Sequence, residues 1–92
     1  MATVKFTVEL KDAKSIKGLV DAVRKGCKDN DIDFNGNEKS GHAKRAGATI
    51  DYVVDDTKVT ITVEDSFRSR LGDWDANRIA NEVKKWIKPY TK

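Results

Sequence analysis

The chain has very few of the residue types that build reactive or metal-binding sites. Its 92 residues include one cysteine, Cys27, and one histidine, His42. No intrachain disulfide is therefore possible, and no zinc-ligand spacing exists. A single cysteine suits a reducing compartment. We expect a cytoplasmic protein that holds no metal and no other cofactor.

Long apolar runs are also missing, and none approaches the ~18 residues that a membrane-spanning helix needs. The first residues alternate polar and apolar side chains, with Val4, Phe6, Val8 and Leu10 on one side. This alternation is typical of a half-buried strand and not of a signal peptide. We therefore expect a chain without a membrane span.

Neither potential catalytic residue has the neighbours that catalysis requires. Cys27 falls on the apolar stripe of a predicted helix, which favours a core position over a nucleophile. His42 lies in a polar, glycine-flanked segment where Asp33 or Asp51 could orient it, but nothing brings a nucleophile to it. Residues 40–47 resemble a phosphate-binding loop only in composition, because the Walker lysine and the following helix are absent. The sequence thus predicts a protein that is not an enzyme.

The residues that are present predict one folded domain over residues 1–92. Charged residues make up 36% of the chain and hydrophobic ones 38%, with a net charge of +3. The apolar residues follow regular periods, so disorder is a poor interpretation. The predicted elements are a strand at 3–10, a helix at 13–28, a strand at 32–34, a hairpin at 46–54 and 58–64, and a helix from 73 to 88.

We interpret residues 35–45 as a polar, mobile loop or a loosely formed hairpin, because they hold almost nothing apolar. The order is then β-α-β-β-β-α. Two helices with one apolar stripe each need the same apolar sheet face. The predicted fold is an α+β two-layer sandwich, with a mainly antiparallel four-stranded sheet and two helices on one face.

This arrangement places different charges on the two outer surfaces. The outer side of the second helix is basic, the first helix is mostly basic as well, and the open sheet face is threonine-rich and mildly acidic. Lysine-rich helix exteriors bind phosphates by releasing counterions, although many such surfaces are only solvated. The candidate residues for binding nucleic acid or another anionic surface are Arg78, Lys84, Lys85 and Lys88, joined by Lys44 and Arg45.

Trp74 lies off the apolar stripe of its own helix. Together with Phe67 and Leu71 it either folds under the 65–73 connection or forms a contact for a protein partner.

The C-terminal half resembles the small bacterial polyhydroxyalkanoic-acid-system proteins. The segment AGATIDYVVDDTKVTITVEDSF is followed by RSRLGDWDANRIANEVKKWI. Gly47, the strands at 48–54 and 58–64, Leu71-Gly72 and the helix from Asp73 fill the places of that pattern. The resemblance implies association with granules at most, and it implies no catalytic residue.

We therefore expect a small non-enzymatic binding or adaptor protein that acts through its basic helical surface, on nucleic acid or another anionic surface. The alternatives are a protein-interaction module, as a homodimer, an accessory subunit or an inhibitor of a larger protein, and a granule accessory protein. Loss of binding after charge reversal at Lys84, Lys85 and Lys88 would indicate that the protein binds an anionic partner through its basic helical surface.

Overall fold

The computed structural model of the chain describes residues 2–45, 47–65 and 76–92. Five strands and two helices make up this part of the protein. They are β1 (Ala2–Glu9), α1 (Ser15–Asp29), β2 (Asp33–Gly36), β3 (Ser40–Arg45), β4 (Ala48–Asp55), β5 (Lys58–Asp65) and α2 (Ala76–Ile87), followed by a 3₁₀ turn at Lys88–Tyr90. No helix among these residues has the length and apolar character to cross a membrane.

The strands form one sheet in the order β1-β5-β4-β3-β2, and every neighbouring pair is antiparallel. Strands β2 to β5 follow one another as a meander. β1 lies beside β5, at the opposite edge from β2, so the connection through α1 crosses the whole width of the sheet. α2 follows β5 and packs beside α1 on the same face.

One apolar core fills the space between the helices and the sheet. Strand alternation turns Val59, Ile61 and Val63 of β5 inward, where each is at most 1% exposed. The helical stripes meet them, since residues three and four apart share one side of a helix. The buried helical residues include Leu19, Val20, Val23 and Cys27 of α1, and Ile79, Ala80, Val83 and Ile87 of α2. The predicted α+β class, with both helices on one face, is confirmed.

Two glycines of α1 let the C-terminal elements approach closely. A Cβ atom at Gly26 would meet the indole ring of Trp86, and one at Gly18 would meet the ring of Tyr90. Contact of early α1 with Tyr90 and of late α1 with Trp86 means that the two helices run antiparallel. Their outer sides therefore form one continuous surface.

Carboxylates just outside the helices accept hydrogen bonds from the first N–H groups. The backbone N of Ser15 donates to Asp12 Oδ1 at 2.9 Å, and that of Ala76 donates to Asp65 Oδ2 at 2.7 Å. A negative charge at a helix N-terminus also complements the helix dipole. At the other end, Pro89 stops regular α-helix after Ile87, as its ring predicts.

The prediction of four strands is wrong, because residues 40–45 form β3. The inward-facing residues of β3 are Gly41 and Ala43, which give no apolar signal in the sequence. Gly41 is small because the ring of Tyr52 packs over it, and a Cβ there would meet that ring. β2 and β3 thus pair as a hairpin, which includes most of the segment 35–45 that the sequence presents as a polar loop or a loosely formed hairpin.

Candidate functional site

The outer surface of α1, α2 and the 3₁₀ turn, which we call the helical layer, carries mostly positive charge. Strand side chains cannot reach this surface, so its charge depends on the helices alone. All of its basic residues are exposed. Its eight basic residues are Lys17, Arg24, Lys25, Lys28, Arg78, Lys84, Lys85 and Lys88, against the three acidic residues Asp21, Asp29 and Glu82.

Two of these cations form short-range ion pairs within a helix. Arg24 Nη1 lies 3.0 Å from Asp21 Oδ1, and Lys85 Nζ lies 3.5 Å from Glu82 Oε1. Exposed pairs of this kind contribute little stability, and salt screens them. Lys25, Lys28 and Lys88 make no ion pair with any described residue. The layer therefore keeps a net positive potential.

Two other contacts place cations where the helices meet the sheet edges. Lys84 Nζ lies 4.7 Å from the ring centroid of Phe6 in β1, and Arg24 Cζ lies 5.6 Å from that of Phe34 in β2. Phe34 also stacks on Tyr52, with centroids 6.1 Å apart and planes inclined by 13°. Each of the two basic side chains covers a half-buried aromatic ring of an edge strand. The contact buries apolar surface of the side chain and holds its charge beside the sheet edge.

The opposite surface, which we call the open face, consists of the outward side chains of all five strands. Its acidic residues are Glu9, Asp33, Asp51, Asp55 and Glu64, and its basic residues are Lys5, Lys44 and Lys58. Most of its other positions are threonine. By this count of the described residues, basic side chains outnumber acidic ones on the helical layer, and acidic side chains outnumber basic ones on the open face.

The structure divides the predicted anion-binding residues between different surfaces. Arg78, Lys84, Lys85 and Lys88 lie on the helical layer. Lys44 lies on the open face, paired across the ladder with Asp33. Arg45 ends β3, and its Nη1 donates to the backbone oxygen of Asn30 at 2.5 Å. The predicted protein-contact residues Trp74, Phe67 and Leu71 lie outside the described residues, as does the predicted helix start at Asp73.

Sequence analysis missed Arg24 as a member of the helical layer. Arg24 follows the buried Val23 and so lies at the flank of the apolar stripe, on the side of β2. A helical projection alone does not show which flank adjoins a sheet edge. The available signal was its three-residue spacing from Asp21, which predicts the ion pair seen here.

His42 and Asp51 are the one pair of potential catalytic residues that the described strands bring into contact. Their register makes them direct neighbours on β3 and β4, and Nδ1 lies 2.5 Å from Asp51 Oδ1. A carboxylate can only accept, so this bond places the proton on Nδ1. Both side chains are about half exposed. They line an open surface depression of about 420 Å³ together with Asn35, Ser40 and Val53.

Cys27 cannot supply a nucleophile to this pair. It lies in the core with no exposed surface, and burial raises the pKa of its thiol to about 11. The thiol therefore stays protonated at neutral pH, and the thiolate is the reactive form. The prediction of a core position for Cys27 is confirmed.

The described residues contain no group of three or more histidine, cysteine, aspartate or glutamate side chains that could hold a metal ion. No family model matches the chain, and neither a curated protein nor a solved structure matches it. The resemblance to polyhydroxyalkanoic-acid-system proteins stays a prediction, since no comparison bears on it.

Proposed function

We propose that the protein binds the phosphate backbone of nucleic acid through its helical layer. The observation that supports this proposal is the separation of charge: eight basic and three acidic residues share the helical layer, while acidic residues predominate on the open face. Folding concentrates the modest net charge of +3 on one side. An anionic polymer would approach that side first, because a concentrated patch steers association more than net charge does.

The spacing of the cations fits a run of phosphates. Lys17 and Lys28 lie eleven residues apart on the same side of α1, which is ~16 Å along the helix axis. A duplex advances ~3.4 Å per phosphate on each strand, so this length covers about four to five phosphates. α2 runs antiparallel beside α1 and offers a second row with Lys85 and Lys88.

The chemistry of the layer favours backbone contacts over base recognition. Its cations are mainly lysines, which are compact point charges and lack the rigid planar fork of arginine. No aromatic side chain of the described helical residues is fully exposed, so none provides a stacking platform for bases. We therefore propose binding that depends little on sequence.

Two charge-matched variants test this proposal. The first carries Lys25→Gln, Lys85→Gln and Lys88→Gln on the helical layer. The second carries Lys5→Gln, Lys39→Gln and Lys44→Gln, all in the sheet or its β2–β3 turn. Each variant loses three positive charges, so the two have the same net charge. Lys84 is left intact because it packs on Phe6. Binding to a fluorescein-labelled duplex is measured by fluorescence anisotropy at low salt.

The helical-layer variant should bind at least tenfold more weakly than the unmodified chain, with a salt slope reduced by about three. The sheet variant should bind within about threefold of the unmodified chain, because Lys5 and Lys44 lie on the open face and Lys39 lies in the β2–β3 turn, outside the helical layer. Equal loss in both variants would show that net charge, and not the helical layer, causes binding. Circular dichroism confirms that both variants are folded.

A further inference from the structure

The open face has a regular pattern when its residues are arranged by register across the strands. Four rows cross the sheet. They are Thr3–Glu64–Thr49–Lys44–Asp33, Lys5–Thr62–Asp51–His42–Asn35, Thr7–Thr60–Val53–Ser40 and Glu9–Lys58–Asp55, where Thr3, Lys5, Thr7 and Glu9 belong to β1. The third row carries no charge, and the outer first and fourth rows carry six of the charged residues of the face.

Val53 lies in this uncharged row and is 58% exposed, and it is the one large hydrophobic residue so exposed among the described residues. Beside it in the same row, the hydroxyl oxygens of Thr60 and Thr7 lie 3.4 Å apart. This uncharged, partly apolar row lies between charged rows, and depletion of charge beside a polar rim is typical of protein–protein interfaces.

The order of side chains along β5 is complementary to itself. From one end to the other its outward residues are Lys58, Thr60, Thr62 and Glu64. Reversing the strand over itself places lysine on glutamate and threonine on threonine. A two-fold axis that runs parallel to the sheet, just outside the open face, and crosses the strands performs this reversal, and an isologous dimer uses such an axis.

We propose that a second copy of the chain packs its open face on this one about that axis. Lys58 of each copy then faces Glu64 of the other, so the interface has two equivalent ion pairs around its threonine centre. Packed sheets cross at about 30°, which displaces residues at the rim by ~5 Å. The long lysine side chain covers that displacement.

Two other arrangements of a pair of copies are less favourable. A two-fold axis running along β4 would set Glu64 against Lys44 of the second copy. It would also set Asp51 and Asp55 each against the same residue of the second copy, and it would leave Lys58 without a partner. Pairing through the β1 edge meets Lys5 in mid-strand, and a charged residue there opposes edge pairing. The C-terminal residues also occupy part of that edge, because Lys92 N donates to Glu9 O at 2.9 Å.

The size of the open face predicts a weak dimer. Five strands at ~4.8 Å spacing, with up to eight residues at ~3.3 Å each, give a footprint of about 500 Å² per copy. The two copies together would bury about 1,000 Å², which is the lower limit for a specific interface. We therefore expect dissociation in the range of about 10–100 μM.

Dimerisation would place the two helical layers on opposite outer surfaces, with the sheets between them. Such a dimer presents two separate basic surfaces. A chain that binds nucleic acid through its helical layer would then join two duplexes. The dimer itself does not depend on that activity and is tested without any nucleic acid.

Sedimentation equilibrium from about 5 μM to about 1 mM protein tests the proposal. Glu64→Lys sets two lysines against each other twice in the dimer, and the dissociation constant should rise at least tenfold. Lys58→Glu combined with Glu64→Lys restores opposite charges and should recover dimerisation. Asp29→Lys makes the same change of charge as Glu64→Lys but on the helical layer, and it should leave the constant unchanged.

Within its own sheet Lys58 lies between Glu9 and Asp55. Lys58→Glu therefore places three carboxylates side by side and lowers the stability of each monomer. Val53→Glu provides an independent variant, because the reversed β4 of the second copy places Asp51 over this exposed residue, and its replacement leaves the core intact. It should weaken the dimer at least tenfold. A chain that stays monomeric at about 1 mM would overturn the proposal, as would a dimer that tolerates both Glu64→Lys and Val53→Glu.

Discussion

Replacing Gly26 with alanine sets helix propensity against packing at the contact between the two helices. In an unobstructed helix interior, alanine is more stable than glycine by about 1 kcal/mol. At this buried position, however, the added Cβ would meet the indole ring of Trp86. Forcing an extra methyl group into a packed site costs about 1–3 kcal/mol.

We expect the packing cost to exceed the propensity gain, so that Gly26→Ala lowers the free energy of unfolding by about 1 kcal/mol. In a domain of this size that corresponds to a fall in Tm of about 4–8 °C. Thermal and urea unfolding, followed by circular dichroism, measure both quantities. Lys25→Ala, at the neighbouring exposed position, should change stability by no more than about 0.5 kcal/mol.

A double-mutant cycle with Trp86→Leu identifies the cause. When the indole ring is removed, Gly26→Ala should become stabilising, because only the propensity term remains. The sign of the alanine effect would therefore reverse between the two backgrounds. Stabilisation of the unmodified chain by Gly26→Ala would show that α1 and α2 do not pack as described. The helical layer would then not be one continuous surface.

Four further predictions concern three single residues. Burial raises the pKa of Cys27 from 9.0 to about 11, so the protonated thiol favours the folded state. Its contribution to the free energy of unfolding is fully present below about pH 9 and is lost as the pH rises toward 11. Urea unfolding midpoints at several pH values measure this change. The same thiol should resist Ellman's reagent at neutral pH until the chain unfolds. Asp65→Ala removes the carboxylate that accepts from Ala76 N and should destabilise the chain by about 1 kcal/mol in urea unfolding, while an unchanged midpoint would exclude a capping role. Tyr52→Phe removes the bond donated to the backbone oxygen of Asn37, at 2.6 Å, and should cost about 1 kcal/mol by the same measurement, with no loss if that bond does not form in solution.

The regular elements could be predicted because their periods are clear. β4 and β5 alternate over eight residues each, and α1 repeats its apolar residues at helical spacing. Once both helices are assigned to one face, the charge of each surface follows from residue order alone.

β3 could not be predicted, because its inward residues carry no apolar alternation of their own and are fitted to the side chains of β4. Gly41 faces the core without a side chain since Tyr52 occupies that space. The position of Lys44 depends in turn on recognising β3, because alternation starts from Ala43 in the core. Strand pairing determines where Lys44 lies, and no local period indicates it.

The contact between Asp65 and Ala76 was equally hidden. Local helix-capping rules consider residues within a few positions of the helix start, whereas this carboxylate is eleven residues earlier. It approaches α2 only because β5 ends where α2 begins. The two cation–aromatic contacts at the sheet edges have the same origin, since Phe6 and Phe34 come close to Lys84 and Arg24 only through tertiary packing.

The salt dependence of duplex binding tests the central claim of this account most directly. Anisotropy titrations of a labelled duplex, repeated at several salt concentrations from about 20 to 200 mM, give the slope of log K against log salt. If the helical layer engages about four phosphates, the slope should lie near −3 to −4, with micromolar binding at low salt. The absence of binding at low salt, or a slope near zero, would contradict the claim and leave the lysines as a solvated surface.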